Sequence, residues 1–192
     1  MSSETYTLDR IEGEGEALDL LIRRAQEGEE GAFEEILSRF EGRALALAHH
    51  LGASRTDAED IAQESFLRLF RHIDSYQGGR RFTAWFYRIV INVTRDHLRR
   101  TRSDLTASGA GEGADQSAEP HPLSGLVAAE RRDQVRRALQ HLTDREREVI
   151  ILREIQGLST WQVARILRVN PITVRRHAMR ARERLRELLG GE

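Results

Sequence analysis

Residues 159–188 read STWQVARILRVNPITVRRHAMRARERLREL. Ser159 and Gln162 have the spacing of a capping box, in which a hydroxyl accepts from the backbone three residues on while an amide side chain reaches back. A short helix therefore starts here, with Val163, Ala164 and Leu167 facing inward. Arg168–Asn170 makes a tight turn into a second helix opened by Pro171, a residue suited to a first helical position because no N–H bond is needed there. At about 100° per residue, Val174, Ala178, Ala181, Leu185 and Leu188 fall on one apolar stripe. Ile172, Arg176, Met179, Arg180 and Glu183 face away from it, with Arg175 on the flank. This is the geometry of a helix-turn-helix, whose second helix can enter a major groove. An ordinary helical hairpin with a solvated Arg face is the competing reading. Short helix, three-residue turn, Pro-led helix and Arg display together favour DNA. The outward apolar residues Ile172 and Met179 can meet a thymine methyl or a protein partner.

Working back from this motif, helical periodicity resumes at about Leu126 and is interrupted near Leu142–Thr143 and Gly157–Ser159. Thr143/Glu146 repeats the capping-box spacing. Thr101–Ser124 collects Gly109, Gly111, Gly113, Pro120 and Pro122 with Ser and Ala, a composition that buries too little apolar surface to order itself and predicts a flexible linker. Before it, Leu18/Leu21/Ile22, Phe33/Ile36/Leu37/Phe40, Ile61/Phe66/Leu69/Phe70 and Trp85/Ile89/Val93 recur at helical spacing and predict four main helices, one of them capped by Thr56/Glu59. Residues 1–16, acidic and aperiodic, read as a mobile tail. With no alternating pattern and no internal repeat, the chain is all-α. It forms two small helical domains, 17–100 and 126–190, around a linker at 101–125.

Two surfaces of the first domain carry chemistry. One helix buries Ile61, Ala62, Ser65, Phe66 and Leu69 and turns Asp57, Asp60, Glu64 and Leu67 outward. An acidic stripe with an exposed Leu fits docking onto a basic protein surface. A divalent cation held by the three carboxylates and a merely solvated face are the alternatives. Further on, Tyr76, Phe82, Trp85, Phe86 and Tyr87 cluster beside Arg80, Arg81, Arg88, Arg95, Arg99 and Arg100. Aromatics interleaved with guanidiniums suit unstacked bases along a positive groove. Some of these rings belong to the core, and Trp85 and Phe86 are expected to be partly buried.

Charge sharpens the division. The formal net charge is −1, yet residues 1–35 hold 11 acids and 3 Arg, and 160–189 hold 8 Arg and 2 Glu. One end repels a polyanion and the other attracts it. Cysteine is absent, which excludes disulfides, thiolate zinc and thiol catalysis. No apolar run is long enough to cross a bilayer and no secretory signal is evident, so the cytoplasm is the expected compartment.

The order Asp57-Ala-Glu-Asp-Ile-Ala-Gln-Glu-Ser-Phe, Phe82-Thr-Ala-Trp-Phe-Tyr-Arg-Ile-Val-Ile-Asn, Leu142-Thr-Asp-Arg-Glu-Arg-Glu-Val and the final helix-turn-helix resembles extracytoplasmic-function (group IV) bacterial RNA polymerase sigma factors, from about Ala17 to Leu189. The resemblance implies regions two and four, binding to RNA polymerase core enzyme and promoter-directed transcription initiation. By it, Asp57, Asp60, Gln63, Glu64 and Leu67 would contact the clamp helices of the largest polymerase subunit. The loop Asp74–Phe82, with Asp74, Tyr76, Arg80 and Phe82, would capture a flipped minus-ten base beside Trp85. Asn92, Arg95, Asp96, Arg99 and Arg100 would line the adjacent helix. Thr173, Arg175, Arg176, Met179 and Arg180 would read the minus-thirty-five element, with region four on the polymerase flap. An anti-sigma factor is an implied partner; no cofactor, metal or small-molecule substrate is implied. The sequence departs from the family where Arg168 replaces a frequent turn Gly, and where Pro171 and Ile172 replace a small pair. The promoter sequence therefore does not carry over.

Two rivals remain from the residues alone. A stand-alone helix-turn-helix regulator would use the first bundle for dimerisation or sensing. A metal-dependent nuclease would use Asp57, Asp60 and Glu64, but no phosphate-cradling Gly loop or nucleophile–base pair accompanies them. The chain is therefore not expected to be an enzyme.

Overall fold

The computed structural model describes residues 17–77, 82–107 and 126–190, and among these every regular element is helical. Residues 17–26 form α1, followed by α2 (Glu30–His50), α3 (Arg55–His72) and α4 (Phe82–Ala107). The second group is α5 (Leu126–Gln140), α6 (Asp144–Ile150), α7 (Thr160–Leu167) and α8 (Pro171–Leu189). The four-plus-four helix count matches the periodicity. The acidic tail and residues 108–125 of the expected linker lie outside the described residues.

Repeated small and apolar side chains set the first group. Helix α2 buries Ala32, Ile36, Phe40, Ala44, Leu47 and Ala48, a narrow stripe that lets α3 and α4 pack closely along it. Helix α3 buries Ala58, Ile61, Ala62, Ser65, Phe66 and Leu69. The Ser65 and Thr94 hydroxyls are buried without loss because each donates back to a carbonyl four residues earlier, Ile61 and Val90 respectively. Ser54 caps α3 by accepting from the Asp57 N–H, so the cap lies two residues before the expected Thr56. Ser54/Asp57 has the same three-residue spacing, and Thr56 already stands inside the helix.

Helix α4 runs to Ala107, beyond the expected end at residue 100. The Thr101 hydroxyl donates back to the His97 carbonyl, and Arg102 pairs with Asp144 at 3.8 Å, so polar side chains that read as linker instead continue a helix. In the second group the capping boxes at Thr143/Glu146 and Ser159/Gln162 are both complete. After α6 the backbone widens into a π-helical turn at Ile151–Ile155, with the Gln156 N–H donating to the Ile151 carbonyl. Gly157, at φ +66, then ends it and frees Ser159 to start α7.

The two groups are packed together. Their buried apolar side chains belong to one cluster, and α4 lies against α7.

Candidate functional site: two helix faces and an aromatic strip

The acidic helix face survives folding in part. Asp60 and Gln63 are exposed and Leu67 is 51% exposed. Glu64 is tied to Arg68 at 2.7 Å. Asp57 is held by the Ser54 hydroxyl (2.7 Å) and the His97 ring (2.8 Å). Burial pushes the Asp57 carboxyl up, but these hydrogen bonds outweigh it and hold it below the usual carboxylate value. Asp60, Gln63 and Leu67 therefore form the open part of the stripe, and Asp57 is a fixed corner. Among the described residues no group of three His, Asp or Glu side chains is placed to hold a metal ion.

Beside Leu67 lies an apolar surface that the sequence reading did not single out. Phe70, which recurs at helical spacing with Ile61, Phe66 and Leu69, is 59% exposed and meets Phe33 edge-on at 4.7 Å. With Leu37 and Leu67 these rings line an apolar groove between α2 and α3, rimmed by Glu41 and Glu59. Leu69 takes the inward position, and 100° of rotation carries Phe70 to the surface.

The aromatic strip is layered. Phe82 and Phe86 are 2% and 0% exposed, and Tyr87 is 3% exposed. This corrects two expectations: Phe82 is a core ring and not a contact surface, and Phe86 is wholly buried. Phe82 instead supports the outer pair, lying edge-on to Tyr76 (5.4 Å) and Trp85 (5.9 Å). Tyr76 and Trp85 stack at 5.4 Å and remain half-buried. Gln26, which no sequence pattern singled out, places this loop: its amide donates to the Ile73 and Tyr76 carbonyls, each at 2.8 Å. Asp74 is exposed in the 3-10 turn Ile73–Ser75; Arg80 lies outside the described residues. Along α4, Asn92, Arg99 and Arg100 are exposed. Asp96 pairs with Arg99 (3.3 Å) and Arg68 (3.8 Å), and Arg95 is engaged by Glu148 of α6.

In the helix-turn-helix, Val163, Ala164, Ile166 and Leu167 of α7 meet Val174, Ala178 and Ala181 of α8. Leu185 packs partly on this core, whereas Leu188 is 43% exposed and lies beyond it. The turn depends on Arg168, which adopts φ 54, ψ 47, a left-handed conformation where glycine would be unstrained. Asn170 caps α8 by accepting from the Ile172 N–H at 2.8 Å. Arg175, Arg176, Met179 and Arg180 are exposed, and the three arginines have no ion-pair partner among the described residues. Thr173 is half-buried beside them. Further along, Arg182 and Arg184 turn back to Glu154 and Glu146.

Comparison with known proteins agrees with both halves. Residues 36–103 match the family model for sigma-70 region 2, and residues 132–185 match that for sigma-70 region 4. The chain is 32% identical to the ECF RNA polymerase sigma factor SigW of Bacillus subtilis, over 88% of this chain and 94% of that protein. It is also 32% identical to the RNA polymerase sigma-H factor of Pseudomonas aeruginosa, over 88% of this chain and 92% of that one. Among solved structures, the sigma factor RpoE of Bartonella quintana, in complex with the anti-sigma factor NepR, is similar with a TM-score of 0.72 and 26% identity, covering 83% of this chain and 98% of that one. CnrH, in complex with the cytosolic domain of CnrY, gives 0.70 and 28%, covering 91% and 97%. With regions two and four both matched in order and the similarity running through nearly the whole length of its relatives, the chain belongs to the extracytoplasmic-function RNA polymerase sigma factors.

Proposed function

We propose that this sigma factor docks on core RNA polymerase through the open part of α3, centred on Asp60, Gln63 and Leu67, with Asp57 and Glu64 setting the charge of the face. Domain 17–100 then receives the unpaired minus-ten strand on the Tyr76–Trp85 platform and the α4 row Asn92, Arg95, Asp96, Arg99 and Arg100, beside the loop carrying Asp74 and Arg80. Domain 126–190 reads the minus-thirty-five duplex with Thr173, Arg175, Arg176, Met179 and Arg180. The protein works by binding, in the cytoplasm, and makes or breaks no bond itself.

The observation that carries this reading is the separation of three faces of different chemistry: acidic with an exposed Leu, aromatic with Arg, and unpaired Arg on a capped helix. Charge steers the first toward a basic protein surface. Stacking suits the second to bases out of the duplex. The third suits major-groove edges and phosphates.

The groove of Phe33, Leu37, Leu67 and Phe70 adjoins the docking face, so an anti-sigma factor covering it would block polymerase at the same time. Both solved relatives were captured with a partner, in one case an anti-sigma factor, which supports such a regulator here.

Run-off transcription tests the reading. Core polymerase with this protein, on fragments of its own genome, should yield new discrete transcripts that disappear with Asp60→Arg. Specific duplex binding by the protein alone, without any association with core enzyme, would instead identify a stand-alone regulator.

A further inference from the structure

The outward face of α8 is not uniformly charged. Ile172 is 71% exposed and Met179 is 55% exposed. At about 100° per residue, Arg176 and Met179 fall within about 40° of Ile172 around the helix, and Arg175 and Arg180 stand on either flank. A face built to hold a protein would gather its apolar side chains into one patch. Here guanidiniums with no ion-pair partner among the described residues lie between and beside them. Such surroundings attract a polyanion, so the contact that Ile172 makes lies inside a nucleic-acid interface.

Ile172 is also held in one direction. Its N–H donates to Asn170 Oδ1 at 2.8 Å, Pro171 fixes the backbone of the first helical residue, and a branched Cβ in a helix strongly prefers a single rotamer. The side chain therefore loses little freedom when it meets a surface. In a helix-turn-helix the first residues of the second helix are the ones that reach base edges. A hydrocarbon side chain neither donates nor accepts a hydrogen bond. In the major groove only thymine offers it an apolar group, the C5 methyl. Against the edge of guanine, adenine or cytosine it would strip water from polar groups and return nothing.

We propose that Ile172 is a specificity-determining residue, which packs on the C5 methyl of one thymine in the minus-thirty-five element and so selects that base. This rests on the reading of α8 as the duplex reader and adds a base identity to it. The arginines hold the helix on the duplex; Ile172 decides which base lies under its first turn. Ile172 is also a position at which the sequence departs from its family, so the preference belongs to this chain.

The test uses holoenzyme, core polymerase with the full chain, and a promoter fragment found by run-off transcription. Each thymine of the minus-thirty-five element is replaced singly by deoxyuridine, which removes the methyl and keeps every hydrogen-bonding group. One replacement should weaken binding about fourfold, the worth of roughly one buried methyl. Ile172→Ala should lose the same factor on the thymine fragment and be indifferent to that replacement. The absence of any sensitive thymine, or a sensitivity that Ile172→Ala leaves unchanged, would overturn the proposal. Equal loss by Ile172→Ala on both fragments would overturn it too, and a loss of core-enzyme affinity in their place would assign the side chain to polymerase. The underlying reading fails separately: if Arg176→Ala and base-pair changes throughout the element left binding unchanged, α8 would not be the duplex reader. Because Ile172 is exposed, Ile172→Ala should leave the core of the second domain intact, as circular dichroism checks.

Discussion

Helices α1–α4 close around rings: Phe40 meets Phe82 and Phe86 edge-on, both at 5.3 Å, and Phe66 lies 5.1 Å from Phe86. Helices α5–α8 contain no Phe or Tyr, and their one Trp, Trp161, is 70% exposed. They bury Glu146, Arg147 and Glu148 beside short aliphatic side chains. The first domain's ring core is closed by its own helices, while the α3 face of Asp60, Gln63 and Leu67 stays open to partners. Buried charges need compensation, and two of the three in the second domain find some of it on the first, at Leu51 and Arg95. The reading domain is the conditional one.

Breaking each core should expose this difference. Phe86→Ala removes a wholly buried ring and should cost about 3–5 kcal/mol, unfolding the first domain, as followed by denaturant titration. Arg147→Ala leaves four carbonyls without their donor and should cost about 3 kcal/mol. Its loss should appear in amide exchange of α5–α8, while protection in α2 and α3 persists. Equal loss of protection in both domains would contradict the distinction.

Two smaller effects sharpen it. Arg168→Gly relieves the left-handed turn and should stabilise the second domain by about 0.5–1 kcal/mol, after the larger unfolded-state entropy of glycine is deducted. A lower melting temperature would show that the Arg168 side chain contributes more than its backbone costs. The smallest effect is on pH. Burial, with the His49 charge beside it, lowers the His50 pKa below 6.5, so between the folded and unfolded values the unfolded chain binds the extra proton. Stability contributed by neutral His50 is therefore present above about pH 6.5 and lost as pH falls through its folded value. The lowered carboxyls Asp57 and Glu146 act only further down, near their ordinary range, where stability again falls with pH. Mild acidification should loosen the first domain first, and His50→Gln should flatten that slope in thermal melts; an unchanged slope would remove His50 from the account.

The same contrast governs what the sequence discloses. Periodicity and caps are local, so the helices, the complete boxes at Thr143 and Ser159, and the outward Arg face of α8 are legible in the chain alone. Position within a bundle is not local. Phe70 and Phe82 look alike in a helical pattern, yet one is on the surface and the other in the core, because neighbouring helices decide which part of an apolar stripe is covered. Thr101–Ala107 read as linker by composition, but a back-bonding hydroxyl and the Asp144 partner carry the helix onward. The fate of Arg95 was illegible for the same reason: Glu148 lies 53 residues away, and charge alone marks both as surface residues. Arg175, Arg176 and Arg180 were easier, since they meet no other part of the described chain as ion pairs.

The central claim is that polymerase docking and duplex reading reside on separate faces, and it is tested most directly by measuring core-enzyme affinity and promoter-duplex affinity for Asp60→Arg and Arg176→Ala side by side. Asp60→Arg should lose several kcal/mol of core binding through like-charge repulsion and leave duplex binding unchanged. Arg176→Ala should lose about 1–3 kcal/mol of duplex binding and leave core binding unchanged. If either substitution weakened both affinities to the same extent in folded protein, the separation of faces would be contradicted.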